Sequence, residues 1–259
     1  MIILYNLIKC ELQRIFRKKV RIVLVLSLGV LLLLILFNTL FGVGFYSPTV
    51  QTPLNALNLA PFVLKDYHFY LILILCPYLV AESFNKEWYS GAYRMIMIRP
   101  YSRNQLYVAK LISIYFVIAL FLGISCTIAI LYGNFVYPSV STTVYFGAEH
   151  VYNGVEAMIF TIKFYCVEFF ILMGIVGFMV TISLLIGKTV LSYIASIFLV
   201  WTVGFGVPSC EFLVSSTRTI FDILLGIGDK FQAIFLILVF LAIGQLVSYI
   251  CFRNNDYLE

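Results

Sequence analysis

Charge is what this 259-residue sequence has least of: 11% of its residues are Asp, Glu, Lys or Arg, against about 25% in an ordinary soluble domain. So few polar side chains cannot cover a water-exposed surface, which excludes a soluble globular fold. Disorder is excluded as well, because it needs low hydrophobicity and high charge, and here 63% of residues are hydrophobic with mean hydropathy +1.04. Histidine is scarce, with only His68 and His150, and no HExxH pair. Cys10, Cys76, Cys126, Cys166, Cys210 and Cys251 are widely spaced with no CxxC. They read as small buried hydrophobes rather than a disulfide or metal framework. GxSxG, paired intramembrane aspartates and acidic repeats are missing too, which leaves a membrane protease or prenyltransferase without support. Gly187-Lys188-Thr189 matches the end of a phosphate-binding loop, but the glycine that motif needs five residues earlier is Ile182. Glu149, His150 and Glu156 read as solvated loop residues rather than a metal site.

What the chain does have is long apolar runs. A membrane helix needs about 20 such residues. Six spans are expected, at 22–41, 68–82, 106–132, 159–186, 190–208 and 231–252. They make residues 1–259 one transmembrane domain and leave no room for a sizeable soluble one. Anything that consumes a nucleotide must therefore sit on another polypeptide. The expected fold class is an all-α integral membrane protein. The second span is short and holds Pro77, so it begins earlier or is kinked.

Residues 3–21 are amphipathic. Leu4, Leu7, Ile8, Leu12, Ile15 and Phe16 recur at helical spacing, while Asn6, Lys9, Gln13, Arg17 and Lys18 fill the other side. The pattern suits a helix in the headgroup plane with its cations near anionic lipid, or a simple basic topogenic leader. A cleaved signal is not expected, because the apolar run that follows is too long.

Six spans also sort the cations. Lys9, Arg14, Arg17, Lys18, Lys19, Arg21, Lys86, Arg94, Arg99, Arg103, Lys110, Lys188 and Arg253 fall on one side. Only Lys65, Lys163, Arg218 and Lys230 fall on the other. Positive charge marks the cytoplasmic face, so both termini are expected there.

Two further stretches are informative. Residues 209–230 are too short and too charged for a span; their apolar half, Ile220 to Ile227, suggests a re-entrant hairpin on the outer side. Glu168 is the one acid well inside a span, where a charge costs about 2.5–3.5 kcal/mol on insertion scales. It is expected to line a path through the bundle, to meet a second membrane chain, or to snorkel outward to the interface.

The inner loop 83–105 is the most polar stretch after the leader. Pro100 disfavours helix at Arg99. Ser102 followed by Gln105 is a capping-box spacing that restarts a helix. Tyr93, Met95, Ile96, Met97 and Ile98 form an apolar knob, which is either a docking element for a partner or an interfacial helix resting on the bilayer. The run Glu87…Gly91-Ala92-Tyr93-Arg94…Arg99-Pro100-Tyr101-Ser102-Arg103…Lys110 resembles the signature loop of permease subunits of the type-2 ABC transporter family, with Ala92-Tyr93 in place of the usual Thr-Leu. The layout is similar too: a basic elbow helix, six spans, and a mixed outer segment before the last.

That resemblance implies that the loop is a coupling helix seated in a groove of a cytoplasmic ATPase subunit, present in two copies. Docking would fall to Glu87, Gly91, Tyr93, Arg94, Met95, Met97 and Arg99; Pro100, Ser102 and Arg103 would hold the corner. It also implies a second permease copy or a homologous permease, outer re-entrant helices, and a multi-pass place in a bacterial plasma membrane, as in short exporters of peptides, lantibiotics or drugs. No catalytic residue, cofactor or metal is expected in this chain, and no nucleic-acid partner. The 44 aromatic residues (2 Trp, 18 Tyr, 24 Phe) and uncharged spans favour a hydrophobic or amphipathic cargo, such as a toxic or antimicrobial peptide. The competing readings are a permease for small drugs, ions or lipid-linked glycans, a self-contained channel or secondary transporter, and an assembly protein. A channel or secondary transporter calls for more intramembrane ionisable groups than Glu168, and an assembly protein has no use for the knob.

Overall fold

The computed structural model describes residues 2–16, 18–41, 45–46, 51–89, 101–145, 150–227 and 229–254. Among them, helix α1 is Ile2–Ile15, α2 Lys18–Leu40, α3 residues 59–89, α4 Arg103–Val136, α5 Gly154–Leu185, α6 Thr189–Gly206, α7 Ser216–Leu225 and α8 Lys230–Asn254. Two short hairpins, β1 (Phe45–Tyr46) with β2 (Gln51–Thr52) and β3 (Thr142–Thr143) with β4 (Tyr152–Asn153), are antiparallel. Helices α2 to α6 and α8 are the six long and apolar enough to cross a membrane. The molecule is an all-α membrane protein.

The amphipathic stretch expected as one helix over 3–21 is broken. Helix α1 stops at Ile15, and the Phe16 carbonyl left at the break accepts from Arg21 Nη2 at 3.3 Å. Leu7 and Ile15 of α1 are buried, and the helix packs on α4, whereas α2 beyond the break is apolar all round. Helix α1 therefore lies against the protein with one apolar face, whereas α2 presents most of its apolar surface outward.

Helix α3 differs most from expectation. It begins at Leu59, not at 68, so the short second span does begin earlier, as its length indicated. Pro61 does not prevent this, because it sits in the first turn, where no N–H is needed. Leu59, Phe62, Val63, Leu64 and Tyr67 are buried there while Lys65 faces out. Pro77 does not break the helix. Two π-helical turns, Leu71–Leu75 and Ala81–Asn85, flank it. Pro77 has no N–H to offer the Leu73 carbonyl four residues back, and the Tyr193 hydroxyl donates to that carbonyl at 2.9 Å instead.

Helices α3 and α5 form the centre. In their most apolar stretches 72% and 61% of residues are buried, against 28% in α2, 22% in α6 and 17% in α8. Helix α8 meets α5 backbone to backbone at one point: a Cβ on Gly177 would sit 2.7 Å from the Gly244 carbonyl carbon, and one on Gly244 3.0 Å from the Gly174 carbonyl oxygen. Backbones this close need glycine, the usual solution where lipid supplies no hydrophobic drive between helices.

The bundle has two unlike ends. At one, Asn55 Nδ2 donates to Thr143 Oγ1 at 2.8 Å, tying the α2–α3 connection to the α4–α5 hairpin. Tyr145 is buried beside it, stacked on Phe160 at 4.1 Å, with its hydroxyl donating to the Ala157 carbonyl at 3.1 Å. Residues 209–230, expected as a re-entrant hairpin, form a 3-10 helix (Pro208–Leu213) and α7 folded back on α3 and α5, and Gly226 in the left-handed region (φ 71°) ends α7. The other end carries α1, the start of α4, the α5–α6 turn and the last turn of α8.

Candidate functional site

Ser102 and Arg103, expected at a loop corner, open α4. Ser102 Oγ accepts from the Gln105 backbone N–H (3.2 Å), and the Gln105 side chain accepts in return from the Ser102 N–H (3.1 Å). Arg103 Nη1 donates to the Arg253 carbonyl at 3.1 Å, so the start of α4 is tied to the end of α8. Gly91, Tyr93, Arg94, Met95, Met97, Arg99 and Pro100, with the rest of the expected coupling helix, lie outside the described residues.

Glu87 is the docking candidate whose surroundings are described, and it does not face outward. It is buried (7% exposed) at the end of α3. One carboxylate oxygen pairs with Lys110 of α4 and the other with Arg14 of α1. Arg14 also pairs with Glu11 of α1, and Lys110 Nζ lies 3.3 Å from Glu11 Oε1. The Ser83 carbonyl, one turn before Glu87, accepts from Lys110 at 2.9 Å and from Arg14 at 3.4 Å. Lys110 is 1% exposed and lies 5.7 Å from the Phe84 ring centroid. Two cations and two carboxylates from three helices thus cancel their charges in a site nearly sealed from water. Such a cluster is sustained only when every member is paired, since removing one partner costs about 3–5 kcal/mol.

The same end of α3 holds Asn85, fully buried, whose amide contacts the α5–α6 turn at Ser183, Ile186 and Thr189.

Glu168 is also fully buried, so it does not snorkel. Its Oε1 lies 2.5 Å from His68 Nδ1. His68 Nε2 lies 3.0 Å from the Leu213 carbonyl, in the 3-10 helix. A carbonyl only accepts, so Nε2 carries a hydrogen, and one proton then lies between Nδ1 and Glu168. The pair is electrically neutral wherever that proton rests.

Sequence reasoning gave no site role to Glu11, Arg14, Asn85 and His68, and read Lys110 only as the last residue of the signature run. For two of them a signal was present. Glu11 stands four residues from both Leu7 and Ile15, and Lys110 four from both Leu106 and Ile114, all four of which are buried. A charge within an apolar stripe needs a buried partner.

The arrangement holds helices together by charge and hydrogen bonding around the stems of one loop. The sequence profile of the ABC-2 family transporter proteins matches residues 7–206, from α1 to the end of α6.

The chain belongs to the ABC-2 transporter family.

This ABC-2 permease is a multi-pass membrane protein, and the family works within ABC transporter systems that include an ATPase partner. The matched region contains Glu11, Arg14, Glu87 and Lys110 together with the loop between them. No curated protein matches the chain at a significant level.

Proposed function

We propose that this ABC-2 permease is the transmembrane half of an ATP-driven exporter whose loop 83–105 is its coupling element. The observation that carries the reading is the neutral cluster Glu11–Arg14–Glu87–Lys110. Ser83 and Glu87 stand on the first part of that loop, which the last turns of α3 form, Lys110 stands on the helix that leaves it, and Glu11 and Arg14 belong to α1. A loop whose two stems and neighbouring helix are clamped together transmits a push as one body, instead of absorbing it in side-chain motion.

The basic end of the bundle is then cytoplasmic. Gly91, Tyr93, Arg94, Met95, Met97 and Arg99 dock on the ATPase, and Pro100, Ser102 and Arg103 set the corner. Glu87 acts as the anchor behind this surface. Two ATPase subunits serve two permease copies, or one copy and a homologous permease. ATP hydrolysis takes place on the ATPase chains, not on this one. The cargo is hydrophobic or amphipathic, with a toxic or antimicrobial peptide the leading class, moved out of the cytoplasm or inner leaflet. Glu168 joins that path only when the segment containing Leu213 moves off His68.

Co-purification tests the reading. The wild-type permease should bring down its ATPase subunit, while Arg94→Glu or Met95→Pro should release it. A complex that survives both changes would overturn the docking assignment.

A further inference from the structure

The last turns of α3 hold the bundle on two sides. Ser83 and Glu87 face α1 and α4, as described. Asn85, between them, faces the opposite way, toward the short turn joining α5 to α6. Its amide uses both ends. Nδ2 donates to the Ser183 carbonyl at 3.0 Å and also to that of Ile186. Oδ1 accepts from the Thr189 hydroxyl at 3.1 Å. The last carbonyls of a helix have no partner within it. Asn85 takes over this role for the end of α5 and binds the first residue of α6 with the same group.

Two features suit this contact for transmitting motion. Asn85 is fully buried with both amide ends engaged, so it cannot swing free without leaving polar groups unpaired. It is also the last residue of the π-helical turn Ala81–Asn85. A π turn carries one residue more than the α-helix around it and is frequent at functional positions. Asn85 and Glu87 are two residues apart, about 200° around a helix of 3.6 residues per turn, so they face opposite sides of α3.

We propose that Asn85 is a positioning residue for transport: it passes movement of the coupling loop to the α5–α6 turn, so that α5 and α6 travel with α3 when the ATPase closes. The inference rests on the reading of 83–105 as the ATPase-driven loop. By this route two spans that the loop does not directly precede or follow are driven from it through one amide group.

Hydrogen–deuterium exchange on the intact permease–ATPase complex, with and without trapping by ATP and vanadate, tests it. In the wild type, trapping should alter exchange in peptides covering both 90–106 and 186–192. Asn85→Asp is nearly isosteric but sets an oxygen against two carbonyls. In that variant the change at 90–106 should persist and the change at 186–192 should shrink by about fivefold or more, the scale of a typical coupling energy. Thr189→Val removes only the Oδ1 contact and should give a partial loss, with Thr189→Ser restoring it. A turn that responds in both Asn85→Asp and Thr189→Val as it does in the wild type would overturn the inference. If trapping leaves 90–106 unchanged in the wild type, the coupled reading itself fails, and this inference with it.

Discussion

His68 and Glu168, 100 residues apart in the chain, meet inside the bundle with 2.5 Å between Nδ1 and Oε1. Because His68 also donates to the Leu213 carbonyl, one buried pair ties α3, α5 and the 3-10 helix together. Neither partner is tolerable there alone. A lone carboxylate or imidazolium in an apolar interior carries a desolvation cost that nothing offsets.

The first prediction concerns that pair. Glu168→Ala should lower stability by about 1–3 kcal/mol, because it leaves Nδ1 of a neutral His68 buried without a partner. Glu168→Gln should cost about 1 kcal/mol, since its amide N–H can still donate to neutral Nδ1. The double variant with His68→Leu should be less damaging than the two single losses combined, by about 0.5–3 kcal/mol. Thermal melting of the purified protein in detergent reads these variants and the His68→Leu single change that completes the cycle. Strict additivity would show that the pair is not coupled.

Lys110 should be the most sensitive member of the ion cluster, because it is nearly sealed from water and faces both carboxylates. Lys110→Met leaves an excess of negative charge and should cost about 3–5 kcal/mol. Adding Glu87→Gln removes that excess and should recover some of the loss. The measurement is again thermal melting, accompanied by proteolysis at the basic end of the bundle. Equal melting of Lys110→Met and wild type would rule out a structural role for the cluster.

The crossing of α5 and α8 gives a steric test. Gly177→Ala places its methyl 2.7 Å from the Gly244 backbone and should destabilise by about 1–3 kcal/mol through overpacking. At Gly29 in α2 an added Cβ meets nothing within 4 Å. Gly29→Ala should therefore stay within about 0.5 kcal/mol of wild type or gain slightly. Matched melts of the two variants settle the contrast.

Alkaline pH should act through Tyr145, which lies outside the spans. Burial pushes its phenol up from 10.0 to about 12, and its hydroxyl donates to Ala157. Because the folded value lies above the unfolded one, its contribution is complete below pH 10.0 and is lost as pH rises to about 12. Tyr145→Phe should be less stable than wild type at neutral pH, having lost the hydroxyl's bond, and the gap should narrow over that window. Difference spectrophotometric titration together with melts at several alkaline pH values checks it. A gap that widens with pH would contradict the sign.

Much of the fold was legible from local pattern. The long apolar runs at 22–41, 106–132, 159–186 and 231–252 each lie almost wholly within a helix, and the Ser102–Gln105 spacing appears as a capping box. That the second span starts before 68 was legible from its shortness; that it starts at Leu59 was not. Pro61 and the cluster Lys65-Asp66-Tyr67-His68 have the local chemistry of a loop, and they are helical because their apolar neighbours are buried against other spans. His68 gave no sign of its partner, since nothing in a local period links positions 100 residues apart. Glu11 and Lys110 could have been singled out as charges in apolar stripes, but not matched to each other or to Glu87.

Hydropathy and charge placement, which follow directly from residue type, were enough to establish a lipid-embedded helical bundle with a basic end and a polar loop. The pairing of Glu87 with Lys110 and Arg14, of Asn85 with the α5–α6 turn, and of Glu168 with His68 emerged from the assembled bundle alone. Each is a short-range contact between distant segments. Its energy depends on water being excluded by helices packed around it, a condition that no single stretch of chain can create.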